Sequence, residues 1–294
     1  MIEFFQVLVS GIMLGGIYSL ISIGLTLIFG IMRILNFAHG EYLMIAMYLS
    51  FWLFKLLNID PYVSIIIVVP ALFLLGIISQ KLVIKPIINA PPTMQIFATV
   101  GLSLVFQNLA LFLWKADYRT VKTSYQTATI HLGPMLVSFP RMVAFLIAII
   151  VSLGFFYFLK NTYTGKALRS IAQNREAAML MGIDVSKMYM IAFALGTACV
   201  GVAGALLMPV YYVFPTVGTY FGVTAFVVVV LGGMGNMTGA FLGGLLIGVI
   251  ESISGVYIDP SLKEAVYFII FILVLLFKPS GLFGLRGAEE VGLK

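Results

Sequence analysis

Nine long apolar runs, parted by short polar breaks, occupy almost the whole chain. They fall near 3–31, 36–54, 61–80, 94–114, 140–159, 188–208, 217–231, 237–256 and 262–278. About 20 consecutive apolar residues cross a bilayer as a helix. The pattern therefore predicts an all-α, polytopic transmembrane helical bundle of about nine spans, within a range of eight to ten. The seventh and ninth runs are short, as in tilted or re-entrant segments. The first run, from Phe4 to Ile31, is far longer than the apolar region of a signal peptide and is expected to remain as a span. No linker or charge block divides the chain. The expectation is one membrane domain over 1–294, with loops at 115–139 and 160–187.

Composition supports lipid as the main solvent. Hydrophobic residues make up 62% of the 294 and charged residues 10%, against roughly 25% charged in soluble domains. The net charge of +6 is then no nucleic-acid footprint, because excess Lys and Arg mark the cytoplasmic loops of polytopic proteins. With Glu3 placed outside, eleven of the seventeen basic residues fall inside: Arg33, Lys81, Lys85, Lys160, Lys166, Arg169, Arg175, Lys187, Lys278, Arg286 and Lys294. The expected orientation is N-terminus out and C-terminus cytoplasmic. Lys115, Arg119 and Lys122 in the 115–139 loop run against it. The single cysteine, Cys199, lies in an apolar run, as a small core residue would.

Both loops carry patterns of their own. In 160–187, Leu168, Ile171, Ala172, Arg175 and Met179 recur at helical spacing, opposite Arg169, Gln173 and Glu176. That spacing predicts one amphipathic helix ended by Gly182, a docking knob for a soluble partner. In 115–139, Val121, Thr123, Tyr125, Thr127, Thr129 and His131 alternate, as in a short strand or hairpin.

Glycines at four-residue spacing mark helix faces. Gly11 and Gly15 form one such pair; Gly239 with Gly243, and Gly244 with Gly248, form two more. Small residues let helices approach closely in lipid, so 237–256 is expected to be clamped on two sides. The break Gly232-Gly233-Met234-Gly235-Asn236 carries no charge. Its backbone must be enclosed by protein or line a cavity, as in transport sites.

Asn36, His39 and Glu41 open the second run. Intramembrane ionisable groups are functional candidates by default. Helix capping by Asn36, with Glu41 near the positive helix end, is the structural alternative. Glu251, near the end of its run, reads as interfacial. No catalytic, metal or cofactor constellation is expected. His39 is not part of an H-E-x-x-H motif, and Lys166 follows Gly165 but lacks the upstream glycine and the following Ser/Thr of a phosphate loop. An ion-coupled secondary transporter or channel, with His39 and Glu41 as relay, and a structural scaffold are rival classes.

Several segments resemble one family. Gly15-Gly16-Ile17-Tyr18-Ser19-Leu20, Gly24-Leu25-Thr26-Leu27-Ile28-Phe29-Gly30 and Asn36-Phe37-Ala38-His39-Gly40-Glu41 resemble the first two spans of LivH-like permeases of branched-chain amino acid ABC importers. Glu176-Ala177-Ala178, with Gly182 following, resembles the EAA coupling motif, without the I-x-L-P tail of many importers. Val227 to Gly235, then Gly239-Ala240 and Gly243-Gly244, resemble the family's C-terminal signature. The resemblance implies a type II importer permease fold in the bacterial inner membrane. It implies a second permease subunit, ATP-binding subunits that hydrolyse the ATP, and an extracytoplasmic binding protein that delivers the substrate. It also implies coupling contacts through Gly165, Arg169, Arg175, Glu176, Ala177, Ala178 and Gly182.

Overall fold

The computed structural model describes residues 2–133 and 135–284, with the backbone alone at Leu132. Arg286, Lys294 and the C-terminus, which entered the orientation argument, lie outside the described residues. All nine apolar runs are helical: α1 (Ile2–Met32), α2 (His39–Leu57), α3 (Pro61–Ser79), α5 (Pro92–Trp114), α6 (Phe139–Asn161), α9 (Val185–Leu207), α10 (Val217–Gly232), α11 (Met237–Tyr257) and α12 (Lys263–Phe277). Among the described residues seven helices are long and apolar enough to cross a membrane, α3 being counted to Ile87. The two short expected spans are α10 and α12, with 16 and 15 residues.

Local chemistry sets the helix starts. Asp60 accepts from the Tyr62 amide at 2.9 Å, with Pro61 in the first helical position. Asp184 caps α9 through the Lys187 amide at 3.0 Å, a bond that holds its carboxyl below the usual range. Asn236 caps α11 through the Gly239 amide at 3.0 Å. Beyond α3 a π turn, Gln80–Ile84, leads into the single turn α4 (Lys85–Ile87). Pro86 lacks the amide that an unbroken helix would need there.

The most buried helices, α1 and α9, form the centre. They meet at Gly24 and Gly196, where a Cβ on Gly24 would lie 2.6 Å from the Gly196 carbonyl oxygen. Helix α11 is clamped on two sides, as the spacing predicts. Gly244 and Gly248 take the backbone of α1 around Gly11 and Gly15, while Gly239 and Gly243 take that of α10 around Gly232. Ile66, Phe97, Phe112, Ile150 and Phe277 stay exposed on α3, α5, α6 and α12. A large exposed apolar surface marks the face turned to lipid.

Two loop expectations need correction. The strand pattern holds only at its end, where β1 (Thr129–Leu132) pairs antiparallel with β2 (Met135–Ser138). Residues 123–126 form a turn instead, and the Tyr125 hydroxyl donates to Asp60 Oδ2 at 2.6 Å. Burial and that neighbouring carboxylate push the Tyr125 phenol well above its ordinary pKa. The 160–187 loop holds two helices rather than one, α7 (Tyr163–Gln173) and α8 (Arg175–Leu180). Asn174, at φ −152° and ψ 108°, ends α7, and its side chain caps α8 through the Ala177 amide at 3.0 Å.

Candidate functional site

Helix α2 does not begin where α1 ends. Arg33, at φ 58°, terminates α1, and the chain folds back along it before turning helical at His39. His39 Nε2 lies 3.0 Å from the Ile21 carbonyl oxygen. Ile21 precedes the end of α1 by eleven residues, about 16 Å at the rise of an α-helix. The polar start of α2 is therefore deep in the bundle. Backbone groups there are satisfied locally: the Ala38 amide donates to Asn36 Oδ1 at 3.2 Å, and Thr99 Oγ1 donates to the Leu35 carbonyl at 3.1 Å. Asn36 thus holds a turn two residues ahead, while Ala38 occupies the cap position of α2 without a side-chain bond.

Glu41 organises the site. Its Oε1 accepts from Gln107 Nε2 at 2.7 Å and Ser103 Oγ at 3.3 Å, with Thr219 Oγ1 at 3.5 Å. Gln107 also donates to Thr219 at 2.9 Å. Glycine makes this three-helix meeting possible. Gly40 sits on the backbone of Gly218 and Gly222, and a Cβ on Gly218 would lie 2.5 Å from Glu41 Oε2. Glu41 is 1% exposed, yet its Oε2 has no hydrogen-bond partner among the described residues; nor have Asn36 Nδ2 and His39 Nδ1.

Asn36, His39 and Glu41 line one cavity of about 390 Å³ with Ser103, Gln107 and Thr219. Its remaining walls are apolar, from Leu25, Leu35, Phe37, Val100, Leu104, Val223 and Phe226. The volume lies within the roughly 300–1,000 Å³ of small-molecule sites, which join apolar walls to a few polar groups. Ser103, Gln107 and Thr219 were missed from sequence; the i, i+4 pair Ser103 and Gln107 on one face of an apolar helix was the available signal.

The glycine break lies elsewhere. Gly232 packs on Gly239, and residues 281–284 cover Gly233; Leu282 donates its amide to the Leu231 carbonyl at 2.7 Å. Asn236 Nδ2 donates to the Phe283 carbonyl at 2.7 Å. Protein thus covers Gly232 and Gly233, while Gly235 is exposed. Gly235 and Asn236 line a second cavity, of about 660 Å³, at the α7–α8 end. The structure does not bring them to Glu41.

Glu251, near the end of its run, is buried within the protein at 2% exposure. Tyr18 donates to its Oε2 at 2.7 Å; Tyr220 and Lys263 donate to Oε1 at 2.9 and 2.6 Å. This network ties α1, α10, α11 and α12 together. Removing one partner of a buried ion pair leaves an uncompensated charge. Lys263→Met is expected to cost at most about 3 kcal/mol, the low end of that range because the Lys263 side chain is 33% exposed. Adding Glu251→Gln should restore most of the loss. Thermal unfolding of the purified protein reads both, and equal melting temperatures for Lys263→Met and the parent would refute the pairing.

At the α7–α8 end, Gly165 is buried where α7 leaves α6; its Cβ would lie 2.5 Å from the Leu159 Cα. Arg169 donates to the Lys160 carbonyl at 3.3 Å, and the Arg175 guanidinium lies over the Tyr189 ring, 5.6 Å from its centre. Ala178 is buried, while Glu176 and Ala177 are exposed. Gly182, at φ +79°, ends the element as a left-handed cap. Met179, Leu180 and Met181 are exposed beside it, Leu180 by 90%. The sequence reading missed this apolar tip.

An apolar helix bundle with a buried carboxylate facing a cavity at depth, and an exposed helical knob at one end, defines a multi-pass membrane permease. The chain belongs to the family described as branched-chain amino acid transport system, permease component, which matches residues 7–275. It is 30% identical over 302 residues to the high-affinity branched-chain amino acid transport system permease protein BraD of Pseudomonas aeruginosa, covering 98% of both chains. It is 31% identical over 304 residues to LivH of Escherichia coli K12, again covering 98% of each. A probable branched-chain amino acid transport permease protein, LivM of Methanocaldococcus jannaschii, is 29% identical over 144 residues, 44% of this chain and 41% of that one. No solved structure matches the chain.

Proposed function

We propose that this chain is the permease subunit of an ATP-driven importer and forms part of the path for branched-chain, hydrophobic amino acids. The observation that carries this reading is Glu41: a carboxylate deep in an apolar bundle, beside a cavity of small-molecule size. Charge at that depth is costly and marks a pathway by default. A passing amino acid would present its ammonium to Glu41, its carboxylate to the unpartnered Asn36 Nδ2 and His39 Nδ1, and its side chain to the apolar walls. A second permease subunit would complete the path. An extracytoplasmic binding protein would deliver the substrate, and separate subunits would hydrolyse ATP.

Helices α7 and α8 are the proposed contact with those ATP-binding subunits. The α7–α8 end is then cytoplasmic and the N-terminus external. The balance of basic loops supports this orientation. Arg119, one of its exceptions, is folded inward; its Nη2 donates to the Trp114 carbonyl at 2.8 Å, and its guanidinium lies over Trp52. Ligand or nucleotide can drive the cycle only through unequal affinity for its states, and α8 is where this chain would feel that difference.

Ala177→Cys in a Cys199→Ala background tests the contact. Cross-linking in membranes should capture a nucleotide-binding subunit; reproducible absence, with the new thiol reactive, would overturn the assignment. Glu176→Lys should cut uptake at least about tenfold, about 1.4 kcal/mol, at unchanged membrane insertion. Undiminished uptake by that well-expressed variant would remove Glu176 from the interface.

A further inference from the structure

The cavity at the α7–α8 end differs in chemistry from the one beside Glu41. Arg33, Lys160 and Arg169 line it from three separate elements. No acidic side chain lines it among the described residues, and none of the three cations forms a salt bridge there. Deeper in, the wall is apolar, from Leu27, Phe156 and Met237. The cations are exposed and sit at the rim, at the ends of α1 and α6. Helix C-termini favour cations, which explains Arg33 and Lys160 singly. Arg169 donates to the Lys160 carbonyl in the last turn of α6, so the same rule covers it singly; what it leaves unexplained is the convergence of three like charges on one cavity.

We propose that this cavity holds the phosphate head group of an anionic phospholipid, with the upper acyl carbons against the apolar wall. Basic pockets between spanning helices at the cytoplasmic face suit such head groups. The proposal rests on the orientation given above only for which leaflet supplies the lipid. Three cations around one anion relieve their mutual repulsion, and the half-apolar wall suits a lipid better than a free ion. A lipid seated here would touch α1, α6, α7 and the turn before α11, so it would brace the start of the coupling element.

The permease complex, purified into nanodiscs of phosphatidylcholine with a minority of phosphatidylglycerol, provides the test. Bound lipid is counted by native mass spectrometry after detergent exchange. The parent should retain phosphatidylglycerol in preference to phosphatidylcholine. Arg33→Gln with Lys160→Gln should weaken that retention about thirty-fold, and Lys160→Arg should preserve it. Size-exclusion profiles establish that the variants are assembled. Equal retention of the two lipids by the parent, unchanged retention in the double variant, or displacement by millimolar orthophosphate would each overturn the lipid assignment. The lipid count is independent of uptake, so failure here is distinguishable from failure of the transport reading.

Discussion

Gly15→Leu is expected to lower the yield of folded protein at least about tenfold. A Cβ at residue 15 would lie 2.7 Å from the Leu245 Cα and 2.8 Å from the Gly244 carbonyl oxygen. Both obstacles are backbone, so no rotamer change makes room. The helices must separate, and α11 would lose its close contact with α1 along Gly11, Gly15, Gly244 and Gly248. Overpacking a well-filled core costs about 1–3 kcal/mol. The larger loss here is contact itself, because in lipid close packing replaces the drive from apolar burial. Gly101→Leu and Gly154→Leu are the controls, since nothing lies within 4 Å of a Cβ at either position. They should leave yield and melting temperature nearly unchanged. Fluorescence-detected size exclusion and thermal unfolding compare the three, and equal behaviour of Gly15→Leu and the controls would refute close approach as the cause.

Much of this architecture was legible in the chain. Apolar runs of spanning length gave the nine helices, because the bilayer sets length directly. Four-residue glycine spacing gave the two clamped faces of α11, since it encodes a stripe without reference to the partner. Gly182 was readable as a stop because its left-handed conformation is a local demand. The break at Asn174 was not. The stripe of Leu168, Ile171, Ala172, Arg175 and Met179 continues through it at helical spacing, while the asparagine side chain competes with the helix by capping the next one. Nor was the depth of the α2 start readable. The four residues between the two apolar runs, 32–35, look like a simple turn, but α1 has 31 residues and is about 46 Å long, so the chain can fold back along it. The partners of Glu251 come from residues 18, 220 and 263, a convergence no local pattern encodes. Its position inside an apolar helix was the usable hint.

Glu41→Gln is expected to reduce uptake of branched-chain amino acids at least about tenfold while leaving assembly intact. The substitution keeps the volume and an oxygen able to accept from Gln107 and Ser103, so the three-helix junction stays joined. What it removes is the negative charge beside the cavity. A substrate ammonium entering an apolar cavity sheds water and needs a counter-charge, and a loss of about 1.4 kcal/mol of that interaction is a factor of ten. Glu41→Ala separates charge from structure. It takes the acceptor from the half-buried Ser103 and Gln107, of which Gln107 keeps its bond to Thr219, and the loss is at most about 1–3 kcal/mol. That variant should lose thermal stability as well as uptake. Reconstituted complexes, assayed for leucine uptake, ATP hydrolysis and melting temperature, distinguish the cases. A Glu41→Gln complex that melts like the parent, hydrolyses ATP and transports poorly places the carboxylate in the path. One that transports at the parental rate makes Glu41 a joint between α2, α5 and α10, and the path must then run elsewhere.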